Sequence, residues 1–184
     1  MPFWFRLGRV RRMILNLQQN KPIPLVPEDG RRSLSGTALA ELLKDVLRKG
    51  SPLTLRARGF SMSPFIKDGD DVTLFPMNGV SPGLGDVAAY IHEGTGMPFI
   101  HRVVGKKGNT YLLKGDNATE ADGLICESNI LGCVRIVERR GLRVFFGLGP
   151  ERFLIAFLTR RGLLSPLLVP PWKLVRPIMK RWFA

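Results

Sequence analysis

Over the first 34 positions apolar and polar residues follow no regular period, and Pro22, Pro24 and Pro27 come in quick succession. A helical rhythm then begins. Leu39, Leu42, Leu43, Val46 and Leu47 recur at three- and four-residue spacing, which lays them along one face. Thr37 can cap the first turn and Gly50 stops the run. The pattern predicts one amphipathic helix over about residues 38–49.

From Ser51 to about Phe146 the rhythm shortens. Runs rich in β-branched and aromatic residues cover 53–58, 71–75, 86–92, 98–104, 110–114, 129–139 and 142–146, separated by turns rich in Gly, Pro, Asn and Asp. Six or seven short strands of this kind predict a mostly-β core of coiled, barrel-like sheets. Gly69-Asp70, Gly85-Asp86 and Gly115-Asp116 each sit at a turn beside such a run. There Gly supplies positive φ, and Asp is expected to bond backbone two residues on.

Three regions result: an irregular basic arm over 1–34, a helix plus all-β domain over 35–146, and a basic tail over 147–184. The tail opens with an apolar-basic stretch around Arg152 to Leu164 that suits an amphipathic helix. It continues through Pro166, Pro170, Pro171 and Pro177 to Trp172, Trp182 and Phe183 among Lys and Arg.

Charge sharpens this picture. The 184 residues carry a net +13, with 45% hydrophobic and 23% charged residues, a composition that supports a packed core. The excess is in the ends: Arg6, Arg9, Arg11 and Arg12 beside Phe3, Trp4 and Phe5, and the tail's cations against Glu151 alone. Basic residues interleaved with Trp, Phe and Leu suit peripheral contact with an anionic membrane. Without a helix-turn-helix or zinc module, nucleic acid is the weaker expectation. No secretory signal or membrane span is evident, since Met13 to Leu17 is too short and polar and Phe153 to Val169 is broken by Arg160, Arg161 and Pro166. A cytoplasmic or peripherally membrane-associated protein is therefore expected. Cys126 and Cys133 form no CxxC pair and have only two histidines for company, so no metal site is expected and both read as reduced and partly buried.

The candidate chemistry is nucleophilic. Ser61 lies just past a strand-like run, after Gly59-Phe60 and before Met62 and Pro64. A hydroxyl on a turn at a strand end is held by a rigid sheet yet open to substrate, and neighbouring backbone N–H groups can face a developing oxyanion. A serine needs a base, and His101 stands on a strand at the parity of Phe99 and Val103. A histidine titrates near neutral pH and suits the task. A carboxylate should orient it. Asp122 is preferred, because Asp116 belongs to the Gly-Asp turn series and reads as structural. Each piece alone is ordinary turn or core chemistry. His92 reads as hairpin surface, Met62 and Phe60 chiefly as packing residues, and Arg102 as a supporting surface residue.

Taken in order, Ser61-Met62-x-Pro64, Gly69-Asp70, Gly85-Asp86-Val87, His101-Arg102-Val103, Lys114-Gly115-Asp116-Asn117 and Asp122 resemble the boxes of the type I signal peptidase superfamily, part of which LexA-like repressor cleavage domains share. The likeness spans about Leu53 to Val137. Histidine at position 101, where most bacterial members have lysine, resembles the Ser-His-Asp subtype. The resemblance implies the fold of that family and a serine endopeptidase without cofactor. Its substrate would be a precursor or leader peptide, cut after small residues at the −1 and −3 positions. Ser61, His101 and Asp122, or less favourably Asp116, would be catalytic. Gly59, Phe60 and Met62 would border the substrate and oxyanion site. Gly59 stands where signal peptidases often carry a serine, leaving backbone donors only. The alternatives are a catalytically idle membrane-surface or partner-binding module on the same fold, and a self-cleaving LexA-like regulator.

Overall fold

In the computed structural model, residues 13–14 and 36–168 are described. The rest of the basic arm over 1–34 and the Pro-rich, Trp-containing end of the tail lie outside the described residues.

The helical rhythm folds as α1, Gly36–Arg48. Leu39, Leu43 and Leu47, each one turn apart, are buried. The helix ends in a paired backbone motif, Ser51 N–H to Val46 C=O at 3.3 Å and Gly50 N–H to Leu47 C=O at 3.0 Å, which satisfies two otherwise orphaned carbonyls.

The strands are β1 (Met13–Ile14), β2 (Leu53–Arg56), β3 (Asp71–Pro76), β4 (Val87–Ile91), β5 (Pro98–Lys107), β6 (Thr110–Lys114), β7 (Leu124–Cys126), β8 (Ile130–Arg139) and β9 (Leu142–Val144). They form one sheet in the order β1-β2-β3-β8-β4-β5-β6-β7, with β9 also on β8. Every pairing is antiparallel except β1 with β2. The chain is therefore mostly β, but the sheet does not close into the expected barrel-like form. Its end strands are two and three residues long, and each pairs on its inner side only, so among the described residues nothing bridges the two edges.

Three further departures have local causes. Met13–Ile14, expected to be irregular, lies parallel to Leu55–Arg56. Such a short segment has no readable period. Leu124–Cys126 is a strand because its backbone meets Thr110–Leu112; only Ile125 of the three is buried, so the alternation is too brief to notice. Phe145 and Phe146 fall outside β9 and are exposed.

Both faces of the sheet are covered. Val87, Ala89 and Ile100 join Leu43, Leu55, Val72 and Leu74 in a cluster beneath α1. Ala88, Tyr90 and Val103 join Tyr111, Leu113 and Ile125 in a second cluster. The strand period of two thus sends alternate residues of β4 into different cores. The stretch after Gly149 folds as α2 (Arg152–Arg161) and a short α3 (Leu164–Leu168). Ile155 and Leu164 pack on Phe65.

Candidate active site

The turn carrying Ser61 is built by the residues that flank β2. Gly59 adopts φ 92°, and its N–H donates to Asp68 Oδ1 at 2.9 Å. Ser63 N–H reaches Phe60 C=O at 3.1 Å and Ile66 N–H reaches Met62 C=O at 3.0 Å. The chain thereby coils tightly enough to lift Ser61 off the strand end. A second turn grips it from outside: Asn117 N–H donates to Ser61 C=O at 2.7 Å, and Asn117 Nδ2 approaches Phe60 C=O at 3.4 Å.

His101 projects from the middle of β5 and is 1% exposed. Its ring lies among those of Tyr90 and Phe99, with centroids 6.1 and 6.2 Å away. Asp122 arrives from the β6–β7 connection, anchored where its N–H donates to Leu113 C=O at 2.9 Å. The three side chains meet: His101 Nε2 is 3.0 Å from Ser61 Oγ, and His101 Nδ1 is 2.5 Å from Asp122 Oδ2. The network assigns the tautomer, because Nδ1 facing a carboxylate carries the proton and leaves Nε2 bare to accept from the hydroxyl.

Tyr90 belongs to the same cluster, its hydroxyl 3.3 Å from His101 Nδ1. Burial, reinforced by the negative charge of Asp122 and a hydrogen bond to it, pushes the phenol well above the ordinary tyrosine range. Tyr90 therefore stays neutral and can donate to Asp122. An aromatic on β4 has no local signature of such a role; only its antiparallel neighbour Phe99 and the strand parity shared with His101 place it there.

Asp116 does not reach His101. Its carboxylate takes a bidentate fork from Arg102, Nε to Oδ1 at 2.7 Å and Nη2 to Oδ2 at 2.6 Å, and accepts from Thr159 Oγ1 of α2 at 3.0 Å. Arg102 Nη1 also donates to Gly85 C=O at 2.8 Å and Gly147 C=O at 2.9 Å. Arg102 is thus fully buried rather than a surface support. It follows His101 on the strand, and the pleat sends it to the opposite side.

The Gly-Asp turns share this logic, though not with the expected direction of bonding. Asp70 and Asp86 accept from N–H groups three residues earlier, Lys67 at 2.8 Å and Gly83 at 2.9 Å. Each also meets an arginine: Asp70 is forked by Arg139, and Asp86 lies 3.4 Å from Arg135. Gly69 and Gly85 have positive φ, as expected. Gly115 does not, and its need for glycine is space: a Cβ there would sit 2.8 Å from Ser61 O and 3.1 Å from His101 Nε2.

Of the residues expected to border substrate, Gly59 has its N–H committed to Asp68 and Phe60 is 66% exposed. The Met62 side chain is buried in the core beneath α1. Among the described residues, the N–H groups of Ser61 and Met62 have no hydrogen-bond partner and remain as donors at the turn. An open pocket beside Ser61 has Ala57, Met62, Ile66 and Ile100 as its apolar lining, with Arg58 and Lys67 also contributing. Both cysteines are free; Cys133 is buried, whereas Cys126 is exposed rather than partly buried. Among the described residues no helix is long and apolar enough to cross a membrane.

No protein-family model matches this chain, and no curated protein matches it.

Proposed function

We propose that the chain is a serine endopeptidase of the signal-peptidase-like Ser-His-Asp type, on the related fold, which cleaves a precursor or leader peptide. The observation that carries this reading is the continuous contact from Ser61 Oγ through both nitrogens of His101 to Asp122. A histidine with one nitrogen on a carboxylate and the other on a hydroxyl is the arrangement that makes a serine nucleophilic.

Ser61 Oγ attacks the scissile carbonyl carbon while His101 Nε2 takes its proton. The backbone N–H of Ser61, with that of Met62, faces the oxyanion. Collapse of the tetrahedral intermediate breaks the C–N bond, and His101 returns the proton to the leaving amine. Water, deprotonated by His101, then releases the acyl group and restores Ser61. Asp122 holds the imidazole in the required tautomer and stabilises its charged form, with neutral Tyr90 bonding the carboxylate from behind. The small pocket bordered by the nucleophile, lined by Ala57, Met62, Ile66 and Ile100 together with Arg58 and Lys67, suits a small side chain at the −1 position. An extended peptide would add as a strand in the place beside Leu55–Arg56 of β2 that Met13–Ile14 occupies in this structure.

The test is cleavage of a library of extended peptides, read by mass spectrometry, with wild-type protein and Ser61→Ala. Wild type is expected to cut after small residues and Ser61→Ala to leave the library intact. Equal cleavage by both, or none by either, contradicts the reading and favours the idle binding module.

A further inference from the structure

α2 has two apolar faces, and the fold uses only one. Ile155, Ala156 and Thr159 point inward and are buried. Phe153, Leu154 and Phe157 follow at the same spacing on the opposite side and are 50%, 62% and 51% exposed. Arg160 and Arg161 continue that outer stripe by one more turn. Past Gly162, Leu163 and Leu167 are again exposed, one turn apart. A solvated helix face normally carries polar residues, and exposed apolar groups gathered in this way mark an interaction site.

The chemistry of the stripe selects its occupant. From Leu142 to Leu168 the charged residues are Arg143, Arg152, Arg160, Arg161 and Glu151. Glu151 is occupied inward, where its carboxylate accepts from the N–H groups of Gly147 and Gly149 and is held below the usual carboxylate range mainly by the former bond. Arg161 lies over an exposed ring, 5.0 Å from the Phe157 centroid, whereas Arg152, 4.9 Å from the Phe153 centroid, reaches inward to Asp86 at 3.6 Å and Arg160 Nη1 donates to Val104 C=O at 3.4 Å. The outer face therefore offers aromatic and aliphatic groups at the same level as the positive charge of Arg161, without a carboxylate on the helix itself. A protein groove would bury the rings but must supply a partner for each guanidinium. An anionic bilayer supplies both at once, acyl chains for the rings and headgroup phosphates for the arginines. The helix is rigidly presented as well, since Thr159 on its inner face bonds buried Asp116.

We propose that the outer face of α2, with the exposed leucines after it, is a peripheral docking surface for an anionic lipid bilayer. It lies on the side of α2 facing away from the sheet and is independent of the proposed hydrolysis. The full chain is tested by flotation with vesicles of phosphatidylcholine alone and of phosphatidylcholine mixed with phosphatidylglycerol. Wild type is expected to float with the anionic vesicles, less so as salt is added, and not with the neutral ones. The double variant Phe153→Ser/Phe157→Ser should bind anionic vesicles roughly tenfold more weakly or worse. Because both rings are largely exposed, its thermal unfolding should match that of wild type. Arg161→Glu leaves the apolar face intact and should weaken the preference for anionic over neutral vesicles. The proposal is overturned if wild type ignores anionic vesicles, or if both variants bind as wild type does. It is also overturned if the variants change the oligomeric state or nucleic-acid retention while vesicle binding stays the same.

Discussion

Two short side-chain pairs stand on neighbouring residues of β5, and they do opposite things. His101 meets Asp122 on one side of the strand, and Arg102 meets Asp116 on the other. Both pairs are short. The Arg102–Asp116 pair is closed: both side chains are 0% exposed, and its remaining contacts are carbonyls and the Thr159 hydroxyl. Arginine is permanently charged, so its side chain cannot act as a proton acceptor. The His101–Asp122 pair is open. Asp122 is 15% exposed, and His101 turns its second nitrogen to Ser61 at the surface turn. One pair fastens β5, the β6 end, α2 and the 147–149 turn together; the other can pick up a proton and give it back. Burial and short distance do not separate structural from chemical pairs, whereas a titratable partner with a free second contact does.

The contrast is broken most sharply at the two aspartates. Asp122→Asn should reduce peptide cleavage by about 10³–10⁴-fold by inverting the histidine tautomer, with little change in unfolding temperature. Asp116→Asn should do the reverse, leaving Arg102 buried without its counter-charge at a cost of about 3–5 kcal/mol. Paired denaturant titrations and cleavage rates check both. A strong loss of stability in Asp122→Asn, or an unaltered fold in Asp116→Asn, would erase the distinction.

A smaller effect sharpens the link between the two sides. Gly115→Ala places a methyl group against Ser61 O and His101 Nε2. Cleavage should fall by about 10²-fold, because displacement of about 1 Å at reacting groups has that order of cost. Melting should shift far less than in Asp116→Asn. Smaller again is Tyr90→Phe. It removes a neutral donor to Asp122, and loss of one hydrogen bond corresponds to about 1 kcal/mol, read as roughly a fivefold change in rate.

The smallest effect lies outside both pairs. Burial pushes the Cys133 thiol up to about 11, so it stays protonated and shielded well above neutral pH. Exposed Cys126 is lowered, chiefly by a hydrogen bond with Ser128. Iodoacetamide at about pH 8 should therefore alkylate Cys126 and spare Cys133 in the folded protein, with peptide mapping as the readout.

Much of this was readable from residue order. The apolar residues at three- and four-residue spacing gave α1, and runs rich in β-branched and aromatic residues gave the longer strands. The serine, histidine and aspartate that meet in space stand apart as a hydroxyl at a strand end, an imidazole in a strand and an acid outside the turn series. What stayed hidden depends on long-range packing. Arg102 reads as a surface residue because arginine usually is one, and its burial requires Gly85, Asp116, Gly147 and Thr159, which are scattered over the chain, to converge. Gly115 looks like the other Gly-Asp turns, but its constraint is the approach of Ser61 and His101 rather than its own φ. Tyr90 needs the β4–β5 register to be known before it joins the site. The open sheet was hidden too, because closure depends on edge strands of two or three residues.

The proposed activity rests on activation of Ser61 by His101. The most direct measurement is covalent labelling by a fluorophosphonate probe, located by peptide mass mapping. A single adduct on Ser61 is expected, slowed by orders of magnitude in His101→Ala and absent in Ser61→Ala. Labelling of Ser61 at an unchanged rate in His101→Ala, or no adduct on Ser61 in folded wild-type protein, would contradict it.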